Sequence, residues 1–278
     1  MKFQYKQSSV LDEIRRLQSR LPGLCFHKPH QSVSTGPLIP GCEICVRRGY
    51  LSFQIGFACN ARCPFCFLET HPPDAPDEDE LYHRRAQLKW FHRHEAELEG
   101  VALTGGEPLL YLPELEACVL EMRAAKPSLY FWVYTNGILA DEEHLRALRD
   151  LGIQEIRFNL AATGYSERTL TNLARARRML EYVAVEVPSY PPQRGALIAC
   201  LDELDRIGID QLNLQELCVT PANVQCLSGE GYQAGVLFAK KYFLYGSRQM
   251  TYEVMGHCIA EGYSFTVNDC SAGEFGRS

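Results

Sequence analysis

From Tyr50 onward the chain alternates short apolar runs with stretches of helical period, and this rhythm narrows the possible folds sharply. Runs at residues 50–57, 101–104, 129–135, 156–162, 182–187 and 209–217 read as strands. Between them, residues 81–98, 113–125, 141–151, 167–180 and 194–207 read as helices. Asp141 is positioned to cap one helix, and Gly152 to release another from its C-terminus. Parallel neighbours need a crossover, so strand-then-helix repetition implies parallel strands joined by right-handed connections. Six such strands predict an α/β fold, either a partial or complete barrel or an open doubly wound sheet. In each case a site belongs at the C-terminal ends of the strands.

The core spans residues 49–220 on this reading, with extensions at both ends. In residues 1–48, Ser9 is set to cap a helix with Val10, Leu11, Ile14, Leu17 and Leu21 on one face. A loop-rich stretch then leads to the pair Cys42 and Cys45. Residues 221–278 hold expected helices around 232–243 and 247–261 and a strand at 263–267. The 278 residues are 46% hydrophobic, enough for a sizeable core. A net charge of -6 leaves no basic footprint for non-specific nucleic-acid binding. No run approaches the roughly 20 apolar residues that cross a bilayer, so a soluble, cytoplasmic protein without membrane contact is expected. Twelve cysteines in a reducing compartment point to metal or redox chemistry.

Three of them, Cys59, Cys63 and Cys66, form C-x3-C-x2-C in the loop after the first core strand. Thiolates are soft donors suited to zinc or iron–sulfur clusters, and zinc structural sites usually want four ligands. TGGEP (104–108) follows the second strand, where two glycines allow close backbone approach and Glu107 can accept from an ammonium.

Together these motifs resemble the radical S-adenosylmethionine (SAM) superfamily; LNLQEL (212–217), the late NDCS (268–271) and the cysteine pair before the cluster loop are similar to a branch related to pyruvate formate-lyase activating enzymes. The resemblance implies a partial (β/α)6 TIM-type barrel and a [4Fe–4S] cluster held by Cys59, Cys63 and Cys66. The iron left open would bind SAM, and reductive cleavage would give a 5′-deoxyadenosyl radical that abstracts hydrogen from a small-molecule or peptide substrate. Gly105, Gly106, Glu107 and Pro108 match the motif that binds the methionine amino group. Phe65 matches the aromatic near adenine, and Thr135, Asn136 and Asn159 match polar strand-end positions. Val187 and Leu214 fall where later strands of relatives contact adenine. A flavodoxin- or ferredoxin-like electron donor is also implied.

Glu216 ends a central strand and is the foremost substrate-facing, catalytic candidate, ahead of Gln215, Arg157 and Arg248. Cys42 and Cys45, completed by Cys270, are a candidate second metal site for zinc or a second iron–sulfur cluster; Cys258, or Cys25 with His27 and His30, are alternative completions. Cys118 and Cys200 read as inert core thiols, and the acidic run 74–80 as a solvated helix start. Two other functions remain open at this point: a glycyl-radical activase acting on a partner protein, and a zinc-stabilised binding module without turnover.

Overall fold

The computed structural model describes residues 15–27, 32–74, 79–228, 234–237 and 241–271. The expected helix start at Ser9, Val10, Leu11 and Ile14, and His30, lie outside them. Six strands form the core: β3 (Tyr50–Gly56), β4 (Gly100–Gly105), β5 (Tyr130–Thr135), β6 (Glu155–Phe158), β7 (Tyr182–Pro188) and β8 (Gln211–Gln215). Each pairs in parallel with the next. The crossovers contain α2 (Glu80–His94), α3 (Leu112–Ala125), α4 (Glu142–Asp150), α5 (Glu167–Ala176) and α6 (Arg194–Ile207). Asp141 does cap α4, accepting from the His144 amide at 3.1 Å, and Gly152 beyond its end has φ of 75°.

The two extensions join this sheet. Strand β12 (Thr266–Asp269) adds in parallel to β8, and the short β2 (Ser32–Ser34) and β1 (Cys25–His27) follow antiparallel. Among the described residues the sheet has nine strands and stays open, with β1 and β3 at its edges. The sequence rhythm thus identified the parallel core, and closure into a complete barrel is not what forms.

Where helix was expected at 232–243, the described residues form strands instead. Residues Ala234–Leu237 (β10) and Lys241–Leu244 (β11) form a hairpin whose second strand pairs with β9 (Cys218–Val219). Val236, Tyr242 and Phe243 are residue types that favour strands, and cross-strand pairing outweighs the weak helical pattern of this segment. Helix α7 (Val224–Ser228) links the two, and α8 (Ser247–Glu261) precedes β12.

Alternation of side chains divides the sheet into two faces. Val101, Leu103, Phe131, Val133, Ile156, Phe158, Val183, Val185, Leu212 and Val267 lie in the main core beneath the helices. The other face, the lumen of the partial barrel, is mixed in character and carries Ala102, Trp132, Arg157, Ala184, Glu186, Asn213 and Asn268. Helix α1 (Pro40–Val46) lies across the lower part of this face. Ile44 packs with Ala102 and Trp132, while Ile39 and Cys42 pack on Ala184. The backbone amide of Gly41 donates to Glu155 at 2.9 Å, and that of Ile39 to Gln211 at 3.0 Å. The lead-in is therefore the floor of the lumen.

Truncating Ile44 to Ala removes a buried anchor of that floor. The expected cost is about 2–4 kcal/mol, read from urea unfolding; a loss below about 0.5 kcal/mol would mean that α1 does not dock as described.

Candidate active site

The cysteine loop begins where β3 ends and returns at His71. Its base is tied by backbone bonds from Cys59 N to His71 O at 2.9 Å and from His71 N to Phe57 O at 3.2 Å. Glu80, the first residue of α2, accepts from Phe57 N at 2.7 Å and from the Tyr111 hydroxyl at 2.5 Å. That hydroxyl in turn accepts from Ala58 N at 2.8 Å. Glu80 is thus a buried anchor of the loop, although the acidic run containing it read as solvated; residues 75–78 of that run lie outside the described residues.

Gly105 and Gly106 prove necessary for a reason other than ligand approach. A Cβ at Gly105 would stand 2.2 Å from Gly56 O, and one at Gly106 would stand 2.2 Å from Ala58 O. The absent side chains let the end of β4 run against the start of the cysteine loop. Gly106 N donates to Gly56 O and Glu107 N to Ala58 O, both at 2.9 Å.

Glu107 is fully buried and acts as a latch. Its Oε1 accepts from Thr135 Oγ1 at 2.9 Å and Leu109 N at 3.1 Å, and its Oε2 accepts from Asn136 N at 2.7 Å. Burial pushes its carboxyl up to about 7, against the pull of those donors. Pro108 is buried at the start of the turn that follows. Asn136 passes the connection on, donating to Asn60 Oδ1 at 2.7 Å and reaching Cys59 Sγ at 3.8 Å. The motif expected to bind an ammonium thus spends its carboxylate on joining β4, β5 and the cysteine loop.

The three loop thiols are half-buried and near enough for their charges to act on one another. Burial, then Cys66 and Cys59, push the Cys63 thiol up to about 12. Burial also raises Cys59 and Cys66. Phe65 is buried against Tyr190, ring centroids 5.6 Å apart, and its carbonyl accepts from Asn223 Nδ2 at 3.1 Å. Thr220 Oγ1 similarly donates to Phe67 O at 3.1 Å. These two contacts bring the segment after β9 onto the loop, and no motif signalled them. At the end of β6, Asn159 Oδ1 is buried without a hydrogen-bond partner, as is Gln193 Oε1 beyond β7.

Residues 53–214, more than half of the chain and within the expected core of 49–220, match the Radical SAM superfamily. The chain belongs to the radical SAM superfamily. Its members are enzymes that use a [4Fe–4S] cluster and SAM, and the open, mostly parallel sheet is their partial barrel. A Methanocaldococcus jannaschii protein provisionally named a glycyl-radical enzyme activating enzyme is 26% identical over 204 residues, covering 69% of this chain and 53% of that one. Streptococcus suis SuiB bound to its precursor peptide SuiA aligns with a TM-score of 0.55 at 14% identity, covering 98% of this chain and 55% of that one. SuiB bound to SAM gives 0.54 at 13% identity, over 98% and 54%. The chain thus spans about half the length of these relatives.

The residues present fit the family's cofactors. Three soft donors from one loop match a cluster with an open iron, and the orphaned acceptors Asn159 Oδ1 and Gln193 Oε1 stand at the same strand ends to meet nucleotide or amino-acid donors.

Other expected residues lie elsewhere. Val187 and Leu214 are fully buried in the helix-covered core, so strand alternation turns their side chains away from the lumen where adenine contact was expected. Glu216 continues the same parity as Leu212 and Leu214 and faces α8. It stands 3.7 Å from Arg248, which bonds Asp269 at 3.1 Å. A buried ionisable group needs a partner, and this one finds it behind the sheet. Cys258 is in the main core and Cys25 is exposed, while His27 bonds Ser34 at 2.9 Å. Cys118 and Cys200 are core thiols, as expected.

Burial raises the Glu216 carboxyl from 4.5 to about 7, Arg248 opposing and Asp269 adding. Between those pH values the unfolded carboxyl ionises while the folded one keeps its proton, so its contribution to stability falls as pH rises. Glu216→Gln should remove this slope, worth up to about 3 kcal/mol across the window. Identical pH–stability profiles for the two proteins would contradict the assignment.

Proposed function

We propose that the protein cleaves SAM reductively at a cluster held by Cys59, Cys63 and Cys66 and turns the product on a small-molecule or peptide substrate. The observation that carries this reading is the placement of three half-buried, mutually interacting thiols on one loop registered by Gly105, Gly106 and Glu107. When bound, the cluster and SAM supply a 5′-deoxyadenosyl radical that abstracts a hydrogen atom, given one electron from a flavodoxin- or ferredoxin-like donor.

The protein's own residues bind and orient. The Gly106 and Glu107 amides fix the loop, while the Glu107 latch holds Asn136 against Cys59. Asn159 and Gln193 are the free acceptors for the nucleotide or its amino group. Phe65 and Tyr190 form an apolar wall that excludes water beside the cysteines. The substrate approaches from the strand ends, above the polar lumen of Arg157, Glu186 and Asn213. Gln215 shares the lumen-facing parity and is the better substrate-facing candidate than Glu216.

A second reading, activation of a glycyl-radical partner protein, is favoured by the name of the M. jannaschii relative. It predicts one SAM consumed per radical installed, with the radical appearing on the partner.

Anaerobically reconstituted, reduced protein should form 5′-deoxyadenosine and methionine from SAM. Cys63→Ala should reduce the product to background, while the exposed Cys25→Ala should leave it unchanged. Equal product from Cys63→Ala and the unaltered protein would refute the proposed role of the loop.

A further inference from the structure

The space expected to hold a second metal between Cys42, Cys45 and Cys270 is filled by the protein's own side chains. Gln211 Nε2 stands 3.0 Å and Asn213 Nδ2 3.5 Å from Cys42 Sγ, and Glu186 meets the Cys270 thiol at 4.0 Å. A different feature, on the outer surface beside the cysteine loop, is used by neither the loop nor the lumen.

Helix α2 divides into two faces. At Glu80, Arg84, Gln87 and Phe91 it clasps the edge strand β3 and the core. Arg84 Nη1 donates to Ile55 O at 2.7 Å, Gln87 Nε2 donates to Gln54 O at 3.0 Å, and Gln87 Oε1 accepts from Gln54 N at 2.8 Å. Phe91 is fully buried. These side chains cover the free edge of β3 where they bond it. The opposite face, at the same helical spacing, presents Tyr82, Arg85, Lys89 and Arg93, all exposed. Tyr82 is 72% exposed, with Leu81 beside it and Trp90 further down the helix also exposed.

The charge on this face is unbalanced. Surface arginines elsewhere are met by carboxylates: Arg47 by Glu99 at 2.7 Å, Arg146 by Glu142 at 2.6 Å and Arg194 by Glu253 at 2.9 Å. Among the described residues, Arg85, Lys89 and Arg93 have no carboxylate within ion-pair distance. Glu80 of the same helix is turned inward, to the loop base and Arg84. Uncompensated cations in a row, on a chain of net charge -6, create a local positive field that steers an acidic partner. From Tyr82 to Arg93 the stripe is roughly 16 Å long, a size suited to a small, transient redox encounter.

The position of the stripe indicates the partner. Glu80 accepts from Phe57 N at the base of the cysteine loop at 2.7 Å, the His83 ring lies 5.5 Å from that of Phe57, and the Tyr82 ring lies 6.3 Å from His83. The upper end of the stripe therefore borders the loop, and the reaction proposed there needs one external electron for each SAM cleaved. We propose that Tyr82, Arg85 and Lys89 dock a flavodoxin-like electron carrier with an acidic surface. Leu81 and Tyr82 meet the apolar edge of its flavin, and the cations meet the carboxylates around it. The proposal rests on the radical SAM reading of the loop. The reduced flavin gives up one electron, the oxidised cluster gains it, and no atom is transferred.

The test uses the whole reconstituted chain and an acidic flavodoxin. Calorimetric binding of the oxidised flavodoxin should weaken at least about tenfold in the double variant Arg85→Glu, Lys89→Glu, and its salt dependence should flatten. Bleaching of the cluster by the reduced flavodoxin should slow in step. Dithionite, a small reductant that needs no docking face, should give the same yield of 5′-deoxyadenosine with both proteins, which also shows the variant to be folded. Equal flavodoxin affinity in the two proteins, a dithionite yield that falls with the flavodoxin effect, or tighter binding of a ferredoxin or of anionic lipid vesicles at the same salt would each overturn the proposal. Charge-dependent flavodoxin binding without any SAM cleavage by the dithionite-reduced, unaltered protein would count against the proposed function alone.

Discussion

Two backbone hydrogen bonds, Gly106 N to Gly56 O and Glu107 N to Ala58 O, register the strand ends against the cysteine loop. They form only because neither glycine carries a Cβ; with one, the chains would meet at 2.2 Å. Once they form, Glu107 is carried into the protein interior, where an ionisable carboxyl needs donors. Thr135, Asn136 and Leu109 supply them, and so the loop, β4 and β5 become one unit. The three cysteines inherit their mutual position from this unit and from Glu80 and Tyr111 at the loop's base.

The same economy applies behind and below the sheet. Each buried charge is met by another: Glu216 and Asp269 by Arg248 behind β8, Glu155 and Glu186 by Arg157 within the lumen. Helix α1 covers the lower lumen with Ile44 and Cys42, so the first extension completes the interior of the core rather than preceding it as a separate lead-in. The last strand does likewise by pairing with β8.

Much of this was legible in the sequence because the relevant signals are local. Strand and helix periods gave the parallel order, Asp141 and Gly152 marked the ends of α4, and C-x3-C-x2-C with GGEP marked the site. What escaped was set by parity or by distant contacts. Val187 and Leu214 have the right hydrophobicity for adenine, but one residue of strand phase turns them toward the helices. Glu216 looked catalytic at the end of β8, yet its partner lies some thirty residues on, in α8. The tail around 232–243 has ambiguous local preference, and pairing with β9 decided it as a hairpin. Asn223 and Thr220, which hold the loop from the far side, belong to no recognisable motif.

The loop chemistry is open to a spectroscopic question that needs neither substrate nor turnover. Electron paramagnetic resonance of the reduced, reconstituted protein, recorded with and without SAM, reports whether the nucleotide binds the iron itself. An incompletely ligated cluster at Cys59, Cys63 and Cys66 should give a signal whose g-values shift when SAM is added, and Cys66→Ala should abolish that shift. A reduced-cluster signal identical in the presence and absence of saturating SAM would contradict the account.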